Sequence, residues 1–460
     1  MPSLSRIFPR LLSTLPLAFA CLSLAACTTA APARSEAVAF VNVTVVPMDR
    51  ERLLEDHTVI VEDGRITKVA PSQQADIPGD AQRIDGRGKY LMPGLAEMHG
   101  HVPGPDEEEY ARDVLFLYVS NGVTTVRNMA GDPWHIDLRR RIDAGDVVGP
   151  TLYAASPWLG DEQAGTPEQA EGAVREYHAA GFDLLKIGSL PAPAYARMAQ
   201  TAHALGMPFG GHIPEDVGLA GALDVRQTSI DHLDRYVEFL VPEAARGDRE
   251  SGFFGSGIVD LADRGRVPEA VARTMQAGTW NVPTLSIVEH LASDEPAESM
   301  AQWPEMRYLP RDVVEGWVRS KHEYQARADF QPTGTQQLVQ LRRELLKALH
   351  DADAPIALGS DAPQFFNVPG FSIHHELRMM VAAGLTPYEV LATGTREAAR
   401  YFNAADEFGT VAPGMRADLI LLEADPLADV GNVRRRVGVM VRGEWWPGEK
   451  IQARLAEIAR

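Results

Sequence analysis

Apolar positions along this chain fall into two regimes. Residues 38 to 93 run in β-branched blocks, such as Ala39-Phe40-Val41-Asn42-Val43-Thr44-Val45-Val46 and Thr58-Val59-Ile60-Val61. Asp63-Gly64 lies between Val59-Ile60-Val61-Glu62 and Arg65-Ile66-Thr67-Lys68-Val69. That dipeptide predicts a tight hairpin, whose central positions need positive φ. The far end returns to the same style in Asp418-Leu419-Ile420-Leu421-Leu422 and Arg436-Val437-Gly438-Val439-Met440-Val441, followed by Arg442-Gly443-Glu444. Between these ends, short apolar runs alternate with stretches of helical period. The runs centre on Leu95, Val123, Leu152, Leu185, Phe209, Ile230, Val282 and Ala357. Helical stretches include Glu168 to Ala180, Pro193 to Leu205 and Pro387 to Ala404. This alternation predicts an α/β fold built on a parallel barrel.

One interval breaks the rhythm. About seventy residues separate Trp280-Asn281-Val282-Pro283-Thr284-Leu285 from the run at Ala357, far more than a barrel connection requires. Residues 286–345 therefore predict a helical insertion, acidic and amphipathic, carrying Trp303, Tyr308, Trp317, Tyr324 and Phe330. It reads either as a lid over the barrel mouth or as helices packed on the outside. Residues 451–460 read as a C-terminal tail.

The N-terminal residues read as a processing signal rather than as fold. Arg6 and Arg10 precede the mostly apolar Leu11 to Leu24, too short for a comfortable membrane span. Leu24-Ala25-Ala26-Cys27 resembles a bacterial lipobox. That resemblance implies a signal peptide over 1–26, cleavage before Cys27 and lipidation of its sulfur. Thr28 follows where inner-membrane lipoproteins usually carry aspartate, so the expected address is the periplasmic face of an outer membrane. Residues 27–37 read as a flexible tether. Cys21 and Cys27 are the two cysteines, so the body of the protein has no thiol for disulfides, metal binding or nucleophilic attack. The net charge is −19, and loss of Arg6 and Arg10 makes it two units more negative. Nucleic-acid binding needs a basic surface and is excluded by this balance.

The candidate chemistry begins at His99-Gly100-His101, closing the run Leu91-Met92-Pro93-Gly94-Leu95-Ala96-Glu97-Met98. Alternate residues of a strand share a face, so both imidazoles can aim at one divalent metal. Lys186, His212, His232 and Asp361 follow, each at or just past the end of a short apolar run. A barrel carries its functional groups at that end of its strands. This ordered series resembles the amidohydrolase superfamily of metal-dependent hydrolases. The imidazolonepropionase-like and prolidase-like group is the nearest match. Gly122-Val123-Thr124-Thr125-Val126-Arg127 and Gly409-Thr410-Val411-Ala412-Pro413-Gly414-Met415-Arg416-Ala417-Asp418-Leu419 also match that group.

The resemblance implies a TIM-like (β/α)8 barrel over 94–405, flanked by a small β-sandwich built from 38–93 and 406–450. It implies two divalent ions, most simply zinc, held by His99, His101, Lys186, His212, His232 and Asp361. His99, His101 and Asp361 form one site, and His212 and His232 the other. Lys186 matches a position where carbon dioxide converts the lysine to a metal-bridging carbamate. A plain buried ammonium would instead need a carboxylate partner. The implied reaction is attack of a metal-bridging hydroxide on an amide or peptide bond. Asp361 handles the protons and His232 touches the oxyanion. Dipeptides, including those ending in proline, N-acyl amino acids and cyclic amides are the candidate substrates.

Two residues remain open. Arg127 reads either as a ligand for a substrate carboxylate or as one half of an ion pair with Asp132 or Glu97. His375, in His374-His375-Glu376, reads as pocket lining. His212-Ile213-Pro214-Glu215 also fits the His-x-x-Glu spacing of single-metal deaminases, which keeps a deaminase or cyclic-amide hydrolase as an alternative. A non-catalytic surface lipoprotein is a third. The chain departs from its group at Glu97, commonly aspartate, and at Ser189-Leu190-Pro191, where prolidase-like members carry Ser-Gly-Gly.

Overall fold

The computed structural model describes residues 37–327, 330 and 332–460. The signal segment, Cys27 and all but the last tether residue lie outside the described residues. Both chain ends join in one eight-stranded sheet. Its strands are β1 (Val38–Val45), β2 (Leu54–Glu62), β3 (Arg65–Pro71), β4 (Gln82–Asp85) and β5 (Tyr90–Pro93) near the start. The barrel strands are β6 (Leu95–Gly100), β7 (Val123–Asn128), β8 (Thr151–Ala154), β9 (Leu185–Ile187), β10 (Phe209–Gly211), β11 (Ser229–Asp231) and β12 (Trp280–Val282). The chain returns to the first sheet with β13 (Leu419–Leu422), β14 (Arg436–Val441) and β15 (Glu444–Pro447).

The sheet order is β15-β14-β13-β5-β1-β2-β3, with β4 beside β1. β13 pairs antiparallel with β5, placing Ile420 opposite Met92. Leu419 and Leu421 pack inward with Phe40, Val59 and Leu91, while Ile420 and Leu422 face the barrel-side core. A strand buried on both faces reads as an unbroken apolar run, as this one does. The Asp63-Gly64 hairpin forms as the sequence predicts, with φ of 49° and 76°. Its tip meets the second hairpin so closely that a Cβ on Gly443 would lie 2.5 Å from Gly64 Cα. The single sheet thus folds back on itself around one small core.

The barrel strands form two parallel sheets, β6-β7-β8 and β9-β10-β11-β12. Bridges Ala155↔Leu184 and Leu159↔Ile187 join them on one side. The run at Ala357 joins them on the other, through bridges Asn281↔Ile356 and Gly100↔Ala362. It makes no continuous ladder, and Glu97 takes backbone donors beside it. The Glu97 carboxylate accepts the His99 N–H at 3.0 Å and the Ser360 N–H at 2.8 Å. Those donors would otherwise serve a regular strand pair.

Helices lie where the apolar period places them, with two corrections. Pro387 to Ala404 is not one helix but two, Pro387–Thr393 and Arg396–Tyr401. The break lets Gly394 O accept from Ala96 N at 2.7 Å and Thr393 O accept from Leu358 N at 3.2 Å. A side chain on Gly394 would lie 2.5 Å from Leu358 Cδ2. The segment 451–460 is not a tail, because Gly448–Ile458 is a helix that buries Ile451, Leu455 and Ile458. Within 286–345, helix Pro332–Asp351 buries Leu338, Leu341, Leu345, Leu346 and Leu349 as an outer layer of the barrel. The earlier part, with helices Leu285–Ala292 and Arg311–Gln325, supplies Ile287 and Val313 to the cavity at the strand ends.

Candidate metal centre

Six side chains meet at the C-terminal ends of the barrel strands. β6 ends with His99 and Gly100, and His101 follows, so the two imidazoles share a face with ring centroids 5.3 Å apart. Lys186 stands in β9, and His212, His232 and Asp361 come directly after β10, β11 and the run at Ala357. His232 and Asp361 adopt left-handed backbone, with φ of 63° and 62°. Such conformations are uncommon outside glycine and asparagine and concentrate at functional sites. Here they turn each side chain off the end of its strand toward the axis.

Asp361 is the hub. Its Oδ1 lies 2.6 Å from His101 Nε2 and 3.6 Å from His99 Nε2, while Oδ2 lies 3.7 Å from His232 Nδ1. His99, His101 and Asp361 each place a ligand atom within 4.8 Å of the others. The His232 ring is tilted against both neighbours, 4.5 Å from His99 and 4.8 Å from His212, centroid to centroid. Lys186 Nζ lies 3.3 Å from His99 Nε2. Burial, reinforced by neighbouring Lys186 and His101, holds His99 well below the usual histidine range. Burial does the same to His232, with His99 and His212 adding to it. Neutral imidazole is the form that binds metal. Burial also pulls the Lys186 ammonium down, opposed by Asp231 and Asp361. Burial would raise Asp361, but His99, His101 and Lys186 outweigh it and bring the carboxyl down to about 2. Four imidazoles, a carboxylate and a buried lysine form a cluster that fits divalent metal.

Partners behind these residues fix their rings. His99 Nδ1 lies 2.8 Å from Asp231 Oδ2. His232 Nδ1 pairs with Thr284 Oγ1 at 2.8 Å, and His212 Nδ1 lies 3.4 Å from Asp234 Oδ2. Arg342, buried on the helix Pro332–Asp351, donates to the carbonyls of His232 and Pro283. Glu97 is fully buried outside the ligand cluster and accepts a further hydrogen bond from Ser360 Oγ at 2.5 Å. Burial pushes it up to about 8. Second partners of this kind set tautomer and ring orientation at metal sites.

Arg127 and His375 require correction. Arg127 does not face the cavity. It is fully buried beneath it and donates to both oxygens of Asp231 at 2.9 Å. Met98 O, Ser229 Oγ and Tyr401 Oη take its other hydrogens. Its ion-pair partner is thus neither Asp132 nor Glu97, because β7 and β11 face each other across the barrel interior. His375 lines a separate cavity, with Nε2 3.2 Å from Glu305 and Nδ1 3.3 Å from His290 Nε2. Glu215 is exposed and 3.6 Å from Arg246, away from the six-residue cluster.

The cluster opens into a cavity of about 780 Å³. Trp158 borders it, as do Phe253 and Phe254 from the loop after β11, and sequence reasoning singled out none of these. Asp231 and Ser229 were legible in principle, since they share a strand face turned away from His232.

A profile of the amidohydrolase family matches residues 90–446, most of the chain. The protein belongs to the amidohydrolase family. An imidazolonepropionase of Klebsiella pneumoniae subsp. pneumoniae is 26% identical over 391 residues, covering 81% of this chain and 87% of that protein. Among solved structures, a bottromycin amidohydrolase superposes with a TM-score of 0.70 at 22% identity, covering 93% of this chain and 91% of that one. A Xaa-Pro dipeptidase with bound methionine gives a TM-score of 0.66 at 20% identity, covering 90% and 100%. Both superpositions span most of this chain, so those proteins share its fold.

Proposed function

We propose that this amidohydrolase cleaves an amide or peptide bond with metal held by the six-residue cluster. One observation carries the reading: Asp361 touches His101 through one oxygen and faces His232 with the other. His99, His101 and Asp361 would hold one divalent ion, and His212 and His232 a second, with Lys186 as a carbamate between them. Zinc suits this donor set. Bound metal supplies an acidified water and polarises the scissile carbonyl. The chain's residues do the rest. Asp361, anionic and on the cavity side, accepts the proton from the attacking water and returns it to the leaving nitrogen. His232, fixed by Thr284, faces the carbonyl oxygen. The arrangement needs no serine or cysteine nucleophile.

Candidate substrates are dipeptides, including Xaa-Pro, and N-acyl amino acids. Cyclic-amide hydrolysis is the second reading, favoured by the curated relatives. A deaminase using Glu215 is disfavoured by the position of that carboxylate. The reading includes a lipid anchor at Cys27 on the periplasmic face of an outer membrane, testable by fatty-acid labelling of wild type against Cys27→Ser.

The deciding experiment measures metal per chain in wild type and Lys186→Ala. About two ions, falling in the variant, support the paired site. About one ion, unchanged in the variant, overturns the role of Lys186 and leaves a single-metal hydrolase.

A further inference from the structure

A cation stands on the apolar face of helix Pro332–Asp351. Leu338, Leu341, Leu345, Leu346 and Leu349 bury that face, and Arg342 shares it at 2% exposure. Among the described residues Arg342 makes no ion pair, and its Nε has no hydrogen-bond partner. The nearby acids are engaged elsewhere. Glu289 accepts from the neighbouring Arg343, whose Nε lies 2.8 Å from Oε1, and Glu376 accepts the N–H groups of Leu285 and Ser286. Burial accordingly lowers the Arg342 guanidinium to about 10. A buried cation without a counter-ion destabilises a fold unless its hydrogen bonds offset the loss.

Those hydrogen bonds converge on one place. Nη1 donates to the carbonyl of His232, and Nη2 to the carbonyl of Pro283 at 2.8 Å. β11 and β12 end there side by side. His232 N donates to Val282 O at 2.8 Å, and beyond that bond both segments leave the ladder. His232, Leu233 and Arg235 hold left-handed backbone, with φ of 63°, 50° and 61°, as does Thr284 at 42°. Residues with side chains keep that conformation only where the surroundings enforce it. Thr284 Oγ1 is in turn 2.8 Å from His232 Nδ1. One guanidinium thus fixes the carbonyl of a metal-ligand candidate and the peptide leading into the residue that orients its ring. A planar fork with two N–H groups in set directions suits this task, and a lysine ammonium does not. The His99, His101 and Asp361 half is braced differently, with Asp231 Oδ2 2.8 Å from His99 Nδ1. Arg342 donates no hydrogen bond to that half among the described residues.

Resting on the two-metal reading above, we propose that Arg342 is a positioning residue for the ion at His212 and His232. Docking of helix Pro332–Asp351 and occupancy of that half of the centre are then linked. The insertion carrying this helix braces the metal centre, a role beyond lid or outer layer. Linkage is reciprocal: whatever the docked helix adds to metal affinity, bound metal returns to the docking of the helix.

The test titrates zinc into the full chain, stripped of metal, against a chromophoric chelator. Wild type is compared with Arg342→Lys, Arg342→Met and the neighbouring Arg343→Met, which removes the pair with Glu289. In both Arg342 variants one of the two zinc-binding steps should weaken about tenfold or more, with the other unchanged. Arg343→Met should leave both steps as in wild type. Hydrogen exchange of the amides in 338–349 supplies the reciprocal readout. Zinc should slow exchange there about tenfold in wild type and have no such effect in Arg342→Lys. A merely structural arginine would speed exchange equally with and without zinc and leave affinity alone. Weakening of both zinc steps alike, or of neither, overturns the proposal, as does zinc-independent exchange in wild type. If Arg342→Met does not fold, Arg342→Lys decides. If wild type binds a single ion, the paired site fails on its own account. The brace then stands if that ion is held about tenfold more weakly in Arg342→Lys, and falls if it is not.

Discussion

Removing the Arg127 guanidinium tests whether it supports the metal centre from below or binds substrate. Both Arg127 and Asp231 are fully buried and joined by two hydrogen bonds of 2.9 Å. Burial would raise Asp231, but Arg127 and then Lys186 outweigh it and hold the carboxyl below its ordinary range. Arg127→Met leaves that carboxylate buried without its main partner, which costs about 3–5 kcal/mol. Ser229 and Tyr401 also lose a donor, adding about 1 kcal/mol each. Asp231→Asn is milder, because Arg127 keeps Met98 O, Ser229 and Tyr401. The double variant Arg127→Met/Asp231→Asn removes the orphaned charge and should recover about 2 kcal/mol or more relative to Arg127→Met alone. Urea unfolding of the four proteins measures this cycle. Asp231 Oδ2 also lies 2.8 Å from His99 Nδ1, so Asp231→Asn should weaken metal binding about tenfold. The reasoning is refuted if Arg127→Met is stable to within about 1 kcal/mol and changes only KM.

Three further outcomes follow from the packing. Thr284→Val removes the partner of His232 Nδ1 and should weaken metal binding about tenfold, read by chelator competition, with little loss of stability. Glu376 accepts the N–H groups of Leu285 and Ser286 at 2.8 Å each, at the start of helix Leu285–Ala292. Glu376→Ala orphans both and should cost about 2–4 kcal/mol in urea unfolding, where a loss under about 1 kcal/mol would refute the assignment. His290 is buried, and burial, aided by His375, lowers it to about 3. Between pH 6.5 and pH 3 the unfolded chain then binds the extra proton. Stability contributed by neutral His290 is complete above pH 6.5 and falls with acidification, by up to about 1.4 kcal/mol per pH unit. His290→Gln should flatten that slope, and an unchanged acid limb would show that His290 does not contribute to it.

The sequence by itself determined the strand positions and the order of the ligand candidates. Both are written in local patterns: period-two or unbroken apolar runs, a turn dipeptide, and polar groups at the ends of runs. Each depends on neighbours in the chain, so each is legible there. Tertiary structure decided what those groups touch. Arg127 looked available for substrate until β11 brought Asp231 beneath it. His375 looked like lining of the metal cavity until its helix turned it toward Glu305 and His290, in a separate one. Glu97 takes two backbone donors, one from His99 beside it and one from Ser360, 263 residues away in sequence. The aromatic walls come from loops whose own sequence carries no period. An ion pair or a hydrogen bond is a relation between positions that folding alone brings within 3 Å, and no window along the chain contains both partners.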